Sequence, residues 1–201
     1  MDGEPHDLLR RAAQGDAAAQ GELLSLHAAR LERMVRLRMD ARLRSRFDAA
    51  DVLQETRVDA IRRLPEYLAA PPMPFFFWMR FLARQKLLEL ARRHLDARGR
   101  DARKELRIDA ASPGADSVAM AEQLVARQTS PTLAARRAEL RDRVQAALEA
   151  MEPADREILA LRHFEQLTNG EAARELGIES AAASKRYARA LERLEGILGP
   201  P

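Results

Sequence analysis

The sequence predicts an all-α protein made of two small helical domains that are joined by a flexible linker. Alanine, leucine, arginine and glutamate dominate its 201 residues, and these residues favour helix over strand. Valine and isoleucine do not alternate with polar residues over any run, so we expect no significant sheet. Ser112-Pro113-Gly114 and Thr129-Ser130-Pro131 interrupt the helical pattern, which places the linker at residues 108–131. The domains are then residues 1–107 and 132–201.

Composition excludes several classes of protein. There is no cysteine, so we expect neither a disulfide framework nor a thiolate metal site. No apolar run approaches the roughly 18 residues of a membrane span, and the N-terminus lacks the pattern of a signal peptide. We therefore expect a soluble, cytoplasmic protein without a metal or cofactor.

The N-terminal domain begins with two predicted helices, one near Leu8–Gln14 and one over about Ala17–Asp40, separated by Gly15 and Asp16. The arginines between residues 30 and 46 form a basic run. Such a run is more often a solvated face than a track for phosphates.

Residues 48–64 combine an apolar stripe with an acidic face. The stripe is Leu53, Ala60, Ile61 and Leu64, at helical spacing. The other face carries Asp51, Glu55, Asp59 and Arg62. Phosphates would repel these carboxylates, so this face is either solvated surface or the docking site of a basic protein partner.

Four prolines between Pro65 and Pro74 predict a loop, since proline removes an amide donor and clashes with the preceding turn. The apolar helix Phe75–Leu95 follows, with aromatic rings interleaved with arginines. Several rings must be core, because a helix that is apolar on all sides cannot be left in water. The same pattern beside a loop could also hold an unstacked single-stranded base.

Charge is unevenly distributed although the net charge is only +3. Between Arg80 and Arg107, ten basic residues stand against four acidic ones. This suits a surface for a polyanion. A genome rich in G and C would also favour arginine codons, and could explain the bias without a functional cause.

The C-terminal domain ends in a predicted helix-turn-helix. Thr168 and Glu171 form a capping box at the start of one helix, and Gly177 ends it. The last helix starts at Ser180 and carries Lys185, Arg186, Arg189 and Arg193. A capping box, a tight turn and a basic helix in series favour DNA binding in a major groove over an ordinary helical hairpin.

These blocks together resemble a bacterial RNA polymerase sigma factor of the extracytoplasmic-function group, within the sigma-70 family. The likeness covers about Leu8–Arg98 and Ala138–Leu198. It implies a region 2-like helical bundle, a region 4-like helix-turn-helix and a linker between them. Its implied partners are core RNA polymerase and promoter DNA, both as duplex and as the melted non-template strand. Many members of the group are also held by an anti-sigma protein, but nothing in the sequence identifies one.

The resemblance also implies site residues. The family's D-x-x-Q-E motif, which docks on the polymerase clamp, matches Asp51, Val52, Leu53, Gln54 and Glu55. The resemblance assigns the melting and reading of the minus-ten element to Trp78, Arg80, Arg84, Gln85, Arg92 and Arg93. Reading of the minus-thirty-five element falls to Ser180, Ala182, Ser184, Lys185, Arg186 and Arg189.

The sequence departs from the family pattern at several of these positions. Gln85 stands where the family usually has Asn, and Glu89 where it often has Asp. In the last helix, Ala181-Ala182-Ala183-Ser184-Lys185-Arg186 replaces the common Gly-Thr-Val-Lys-Ser-Arg. The departures in the last helix put the assignment of individual base contacts in question.

Two other functions fit the sequence less well. A plain helix-turn-helix regulator explains the C-terminal domain equally well, but it explains the acidic face and the proline–aromatic segment poorly. An enzyme has little support, because the four histidines are scattered and neither a phosphate-binding loop nor a nucleophile elbow is present.

Overall fold

The computed structural model describes residues 5–40, 42–44, 46–95, 114–126 and 134–198. Helices dominate these ranges and no strand occurs in them, which confirms the all-α prediction. The helices are α1 His6–Ala13, α2 Ala17–Ser25, α3 Ala28–Arg38, α4 Ala49–Ala69, α5 Phe75–Leu95, α6 Ser117–Ala126, α7 Ala134–Ala150, α8 Pro153–Leu159, α9 Asn169–Leu176 and α10 Ser180–Leu198. A π-helical turn, Ala160–Phe164, continues α8.

The chain divides into two compact units, Met1–Pro113 and Gly114–Pro201. The division falls inside the stretch predicted as linker, much of which lies outside the described residues. Helix α6 belongs to the second unit, where it packs on α7 and buries Met120 and Val125. Among the helices that can be described, none is both long and apolar enough to cross a bilayer.

The predicted helix over Ala17–Asp40 is in fact two helices, because the chain turns at Leu26 and His27. The turn places the His27 ring edge-on against Phe76, with 5.1 Å between ring centroids. Asp16 begins α2 by accepting hydrogen bonds from the amides of Ala18 and Ala19, at 3.0 Å each. Such a cap satisfies amides that have no partner within the helix.

Helix α4 continues through Pro65 and ends only at Ala69, so the predicted loop is shorter than expected. The Pro65 ring lies on the exposed side of the helix. Tyr67 then extends the buried face by one more turn, and its hydroxyl donates to the carbonyl oxygen of Met73 at 3.0 Å.

The buried face of α4 also differs from the predicted stripe. Ile61 was expected in the core but is 58% exposed. The helix instead buries a set of residues that lies further around its axis than the predicted stripe, because Tyr67 packs into the aromatic cluster with Phe75 and Trp78. That set is Ala49, Val52, Thr56, Ala60, Leu64 and Tyr67.

Aromatic rings fill the core where α4 meets α5. Tyr67 stacks on Trp78 with 4.5 Å between ring centroids, and Phe75 lies 5.6 Å from both rings. Phe76 is buried as well, whereas Phe81 is exposed. The prediction that several of these rings are core is therefore confirmed.

Candidate nucleic-acid and protein interfaces

The helix-turn-helix predicted near the C-terminus is formed by α9 and α10. Thr168 Oγ1 accepts a hydrogen bond from the amide of Glu171 at 3.3 Å, and the Glu171 carboxylate accepts one from the amide of Thr168 at 2.8 Å. Gly177 follows α9 with φ 62° and ψ 34°, in the left-handed region that glycine adopts without a Cβ clash. Both local predictions are confirmed.

Small residues line the contact between these two helices. Ala172 and Ala173 of α9 and Ala183 at the start of α10 are buried, and α9 packs directly on α10. Alanine side chains allow the two helices to approach closely. The opposite side of α10 is left to solvent.

All six predicted minus-thirty-five residues lie away from that buried contact. Arg186 is half-buried, and the other five are exposed: Ser180, Ala182, Ser184, Lys185 and Arg189. Arg193, the last of the arginines noted on this helix, has a different place. Its guanidinium pairs with the buried carboxylate of Asp155, which ties α10 to α8.

Two features of this unit do not follow from the sequence pattern. The side-chain amide of Asn169 donates to the carbonyl oxygen of Ser180 at 2.8 Å, so it joins the first turns of α9 and α10. Gln166, which follows the π-helical turn, has φ 59°. This is the one non-glycine residue with positive φ in the described part of the chain, and it could be found only by knowing how sharply the chain turns there.

The predicted polymerase-binding residues divide between surface and core. Asp51 and Gln54 are exposed, while Leu53 and Glu55 are half-buried. Val52 is fully buried, so the prediction that it faces a partner is corrected: it belongs to the apolar stripe that holds α4 in the bundle. Asp51 also closes a capping box with Asp48, with both hydrogen bonds at 2.9 Å.

The predicted minus-ten residues divide in the same way. Gln85, Arg92 and Arg93 are exposed and Arg84 is half-buried. Trp78 is buried in the aromatic cluster, and Arg80 is only 1% exposed. Neither side chain is presented to DNA in this conformation, because both are buried.

A polar cluster joins α4 to α5 and was not foreseen from the sequence. We call it the Lys86 cluster: Lys86, Glu55, Asp59 and Glu89. The Lys86 ammonium lies 2.9 Å from Asp59 Oδ2, 2.8 Å from Glu89 Oε2 and 3.5 Å from Glu55 Oε2. Only 9% of the Lys86 side chain is exposed. Glu89 also pairs with Arg93.

The cluster shifts the protonation equilibria of its members in the directions that opposite charges require. Hydrogen bonds to Glu89 and Asp59 raise the pKa of Lys86. The hydrogen bond from Lys86 lowers the pKa of Asp59 and that of Glu89. All three are therefore ionised at neutral pH. No group of three or more histidine, cysteine or acidic residues among the described side chains is placed to hold a metal ion.

Comparisons with known proteins agree with this geometry. Residues 141–194 match the family model "Sigma-70, region 4", a range that spans most of α7, all of α8 and α9, and α10 except its last four residues. A comparison with curated protein sequences gives no match.

Among solved structures, the chain is similar to CnrH in complex with the cytosolic domain of CnrY. The TM-score is 0.54 at 23% sequence identity, and the alignment covers 98% of this chain and 97% of that one. The resemblance predicted from the sequence is thus confirmed at the level of the sigma-70 family: the chain is similar to sigma-70 region 4 in sequence over residues 141–194, and to CnrH in fold over nearly its whole length.

Proposed function

We propose that the protein is a sigma factor that directs core RNA polymerase to specific promoters and initiates transcription. The observation that carries this proposal is the helix-turn-helix, which matches the sigma-70 region 4 model and presents an exposed basic helix. The acidic residues Asp51, Glu55 and Asp59 on α4 of the helical bundle support the proposal further, since a simple repressor does not need an acidic surface.

In this proposal, α4 docks on the clamp of the polymerase. The docking residues are Asp51, Gln54 and Glu55, with Leu53 at the edge of the contact. Val52 contributes from the core by fixing the rotation of the helix. Carboxylates in this position would meet a basic partner surface, and electrostatic complementarity would raise the rate of association.

Helix α5 and the loop before it would open and hold the minus-ten element. Gln85, Arg92 and Arg93 are exposed and Arg84 is half-buried in the present conformation, and these side chains would contact the strand. The loop between α4 and α5, whose residues Pro71, Pro72 and Met73 are exposed, would receive a flipped base. Trp78 and Arg80 would support this surface from beneath. A direct contact by either would require α5 to rearrange.

Helix α10 would enter the major groove at the minus-thirty-five element. Lys185, Arg186 and Arg189 supply cationic donors for phosphates and guanine edges, and Ser180 and Ser184 supply hydroxyls. Each good pair of contacts with a base would contribute roughly 1–3 kcal/mol of discrimination. No covalent bond is made or broken in this function.

The test is transcription in vitro with core polymerase and a library of promoters, together with direct measurement of polymerase binding. The variant Asp51→Ala/Glu55→Ala should lose polymerase binding while keeping its helical content. The matched control is Asp7→Ala/Glu22→Ala, which removes two carboxylates from α1 and α2 and should bind normally.

The same experiment separates the second candidate function. A helix-turn-helix regulator would bind duplex DNA through α10 but would show no affinity for core polymerase. If the wild-type chain binds its duplex and ignores polymerase, the sigma-factor proposal is wrong.

A protein inhibitor is a further candidate partner. CnrH is seen in complex with the cytosolic domain of CnrY, a complex of a sigma factor with an anti-sigma domain. We propose that this chain has an anti-sigma partner as well. Co-purification of the full chain from its native cells, before and after Asp51→Ala/Glu55→Ala, would test whether such a partner exists and whether it shares the α4 ridge.

A further inference from the structure

The Lys86 cluster is the most unusual charge arrangement in the first unit. One ammonium serves three carboxylates, of which Glu55 and Asp59 come from α4 and Glu89 comes from α5. Lys86 itself is nearly buried. The cluster is therefore an ionic contact between two helices. Pairs such as Arg36 with Glu32 on α3, by contrast, are exposed and lie within one helix.

Of the two partners on α4, Glu55 is a proposed docking residue and Asp59 lies one turn beyond it; together with Asp51 they form what we call the ridge. Asp51, Glu55 and Asp59 are spaced four residues apart, so they follow one another along one side of the helix. Lys86 holds the second and third of these, and the first is exposed to solvent. Lys86 thus holds Glu55 and Asp59 against α5, whereas the Asp51 side chain is held by its own capping box with Asp48.

A second contact lies beside the first. Arg63 of α4 donates to the side-chain oxygen of Gln85 at 3.4 Å, one residue before Lys86. Gln85 is one of the predicted minus-ten residues. The seam between α4 and α5 thus joins a residue of each proposed surface to the opposite helix.

We propose that Lys86 is a positioning residue for the polymerase-binding ridge: it holds Glu55 and Asp59 of α4 against α5, and so sets the orientation of the ridge relative to the DNA-facing side of α5. The proposal rests on the proposed function, because it assigns Glu55 to the polymerase contact. Glu55 is suited to a shared role, since 43% of its side chain stays exposed while Lys86 holds one edge of it.

Removing the ammonium would have two effects. Glu55 would lose its fixed rotamer, and three carboxylates that now share one cation would repel one another. Both effects weaken binding to a partner that reads the ridge in one orientation. An effect of Lys86 on the ridge would depend on whether Glu55 is present, whereas a general loss of stability would not.

The test is a double-mutant cycle on the affinity of the full chain for core polymerase. Lys86→Met removes the charge and keeps most of the aliphatic stem. In the wild-type background it should weaken binding about fivefold, but in a Glu55→Gln background by less than about twofold, as expected for residues that act through each other. Lys86→Arg keeps the charge and should recover most of the lost affinity.

Controls separate positioning from simple stability. Arg36→Met makes the same change of charge in an exposed pair on α3 and should leave binding unchanged. Thermal unfolding of each variant confirms that it is folded at the assay temperature. If Lys86→Met does not fold, Lys86→Gln replaces it in the cycle. If neither folds, Lys86 supports the whole domain and not the ridge, and the proposal is wrong.

The remaining outcomes are distinct. If the wild-type chain does not bind polymerase, the proposed function fails and this inference fails with it. If the wild-type chain binds and the effects of Lys86→Met and Glu55→Gln simply multiply, the sigma-factor proposal stands and the positioning role of Lys86 is overturned.

Discussion

The side chain of Asn169 donates a hydrogen bond to the backbone carbonyl of Ser180 across the turn of the helix-turn-helix, at 2.8 Å. Ser180 begins α10, so this bond fixes the first turn of the proposed recognition helix to the first turn of α9. The first turn of a recognition helix is the part that usually contacts base edges. The bond therefore bears on recognition as well as on stability.

Asn169→Ala should reduce affinity for the upstream duplex by up to about fivefold, because one hydrogen bond of about 1 kcal/mol orients the first turn of α10. Electrophoretic mobility shift or fluorescence anisotropy measures the change. Gln145→Ala, which removes an amide within α7, is the matched control and should bind normally. Equal affinity of Asn169→Ala and wild type would show that the bond does not orient α10.

Two arginines of α10 should behave differently when replaced. Arg193→Ala leaves the Asp155 carboxylate buried without this partner, so it should lower the free energy of unfolding of the second unit by about 1–3 kcal/mol. Arg189→Ala should weaken DNA binding and leave the melting temperature nearly unchanged, since Arg189 is exposed. Thermal unfolding and DNA binding measured on both variants check this. An unchanged melting temperature for Arg193→Ala would contradict the structural role.

Gln166→Gly should stabilise the second unit by about 1 kcal/mol, because glycine enters the left-handed region without the steric cost that a side chain meets there. Chemical denaturation is the measurement. Gly177→Ala is the reverse case and should destabilise by a similar amount, since that glycine has φ 62° and its site has room for a methyl group. A loss of stability in Gln166→Gly would mean that the glutamine side chain makes contacts that outweigh its strained backbone.

The Lys86 cluster should make the first unit sensitive to acid. The pKa values of Asp59 and Glu89 are lowered in the folded state, so their contribution is present above their unfolded pKa values and is lost as pH falls through the folded ones. The raised pKa of Lys86 acts at the other extreme: its contribution is present below the unfolded value and is lost as pH rises through the folded one. Unfolding monitored from neutral pH to about pH 3 should show this acid loss in the wild type.

In Lys86→Met the acid loss should be smaller, because the carboxylates then gain less by being ionised. Glu55 of the cluster and the neighbouring Arg62, Arg63 and Arg93 remain in this variant, so the loss should shrink without vanishing. Identical acid profiles for the wild type and Lys86→Met would mean that the ammonium is not the source of the shifts.

Local chemistry made the second unit readable from the sequence. The capping box of Thr168 and Glu171 and the left-handed Gly177 each depend on residues close together in the chain, and each formed as predicted. The exposed side of α10 followed from its helical period. By contrast, the Asn169–Ser180 bond depends on the angle between two helices, which no local pattern gives.

The first unit was harder to read because its packing depends on distant residues. By residue type, Ile61 and Tyr67 are both good candidates for the core. Packing of the aromatic cluster around Trp78 is what buries Tyr67, while Ile61 is left exposed. Arginine is usually a surface residue, yet Arg80 is buried. The Lys86 cluster requires α4 and α5 to align so that Asp59 meets Lys86, and helix periodicity alone does not supply that alignment.

The buried alanines of the helix-turn-helix have one more consequence. Ala183 and Ala190 are the fully buried residues of α10, with Tyr187, Leu191 and Leu194 half-buried, so exposed side chains such as Lys185 and Arg189 have little share in folding. Substitutions there would change which bases are preferred at little cost to the fold. In such a domain promoter preference can diverge in evolution, or be redesigned in the laboratory, one exposed residue at a time.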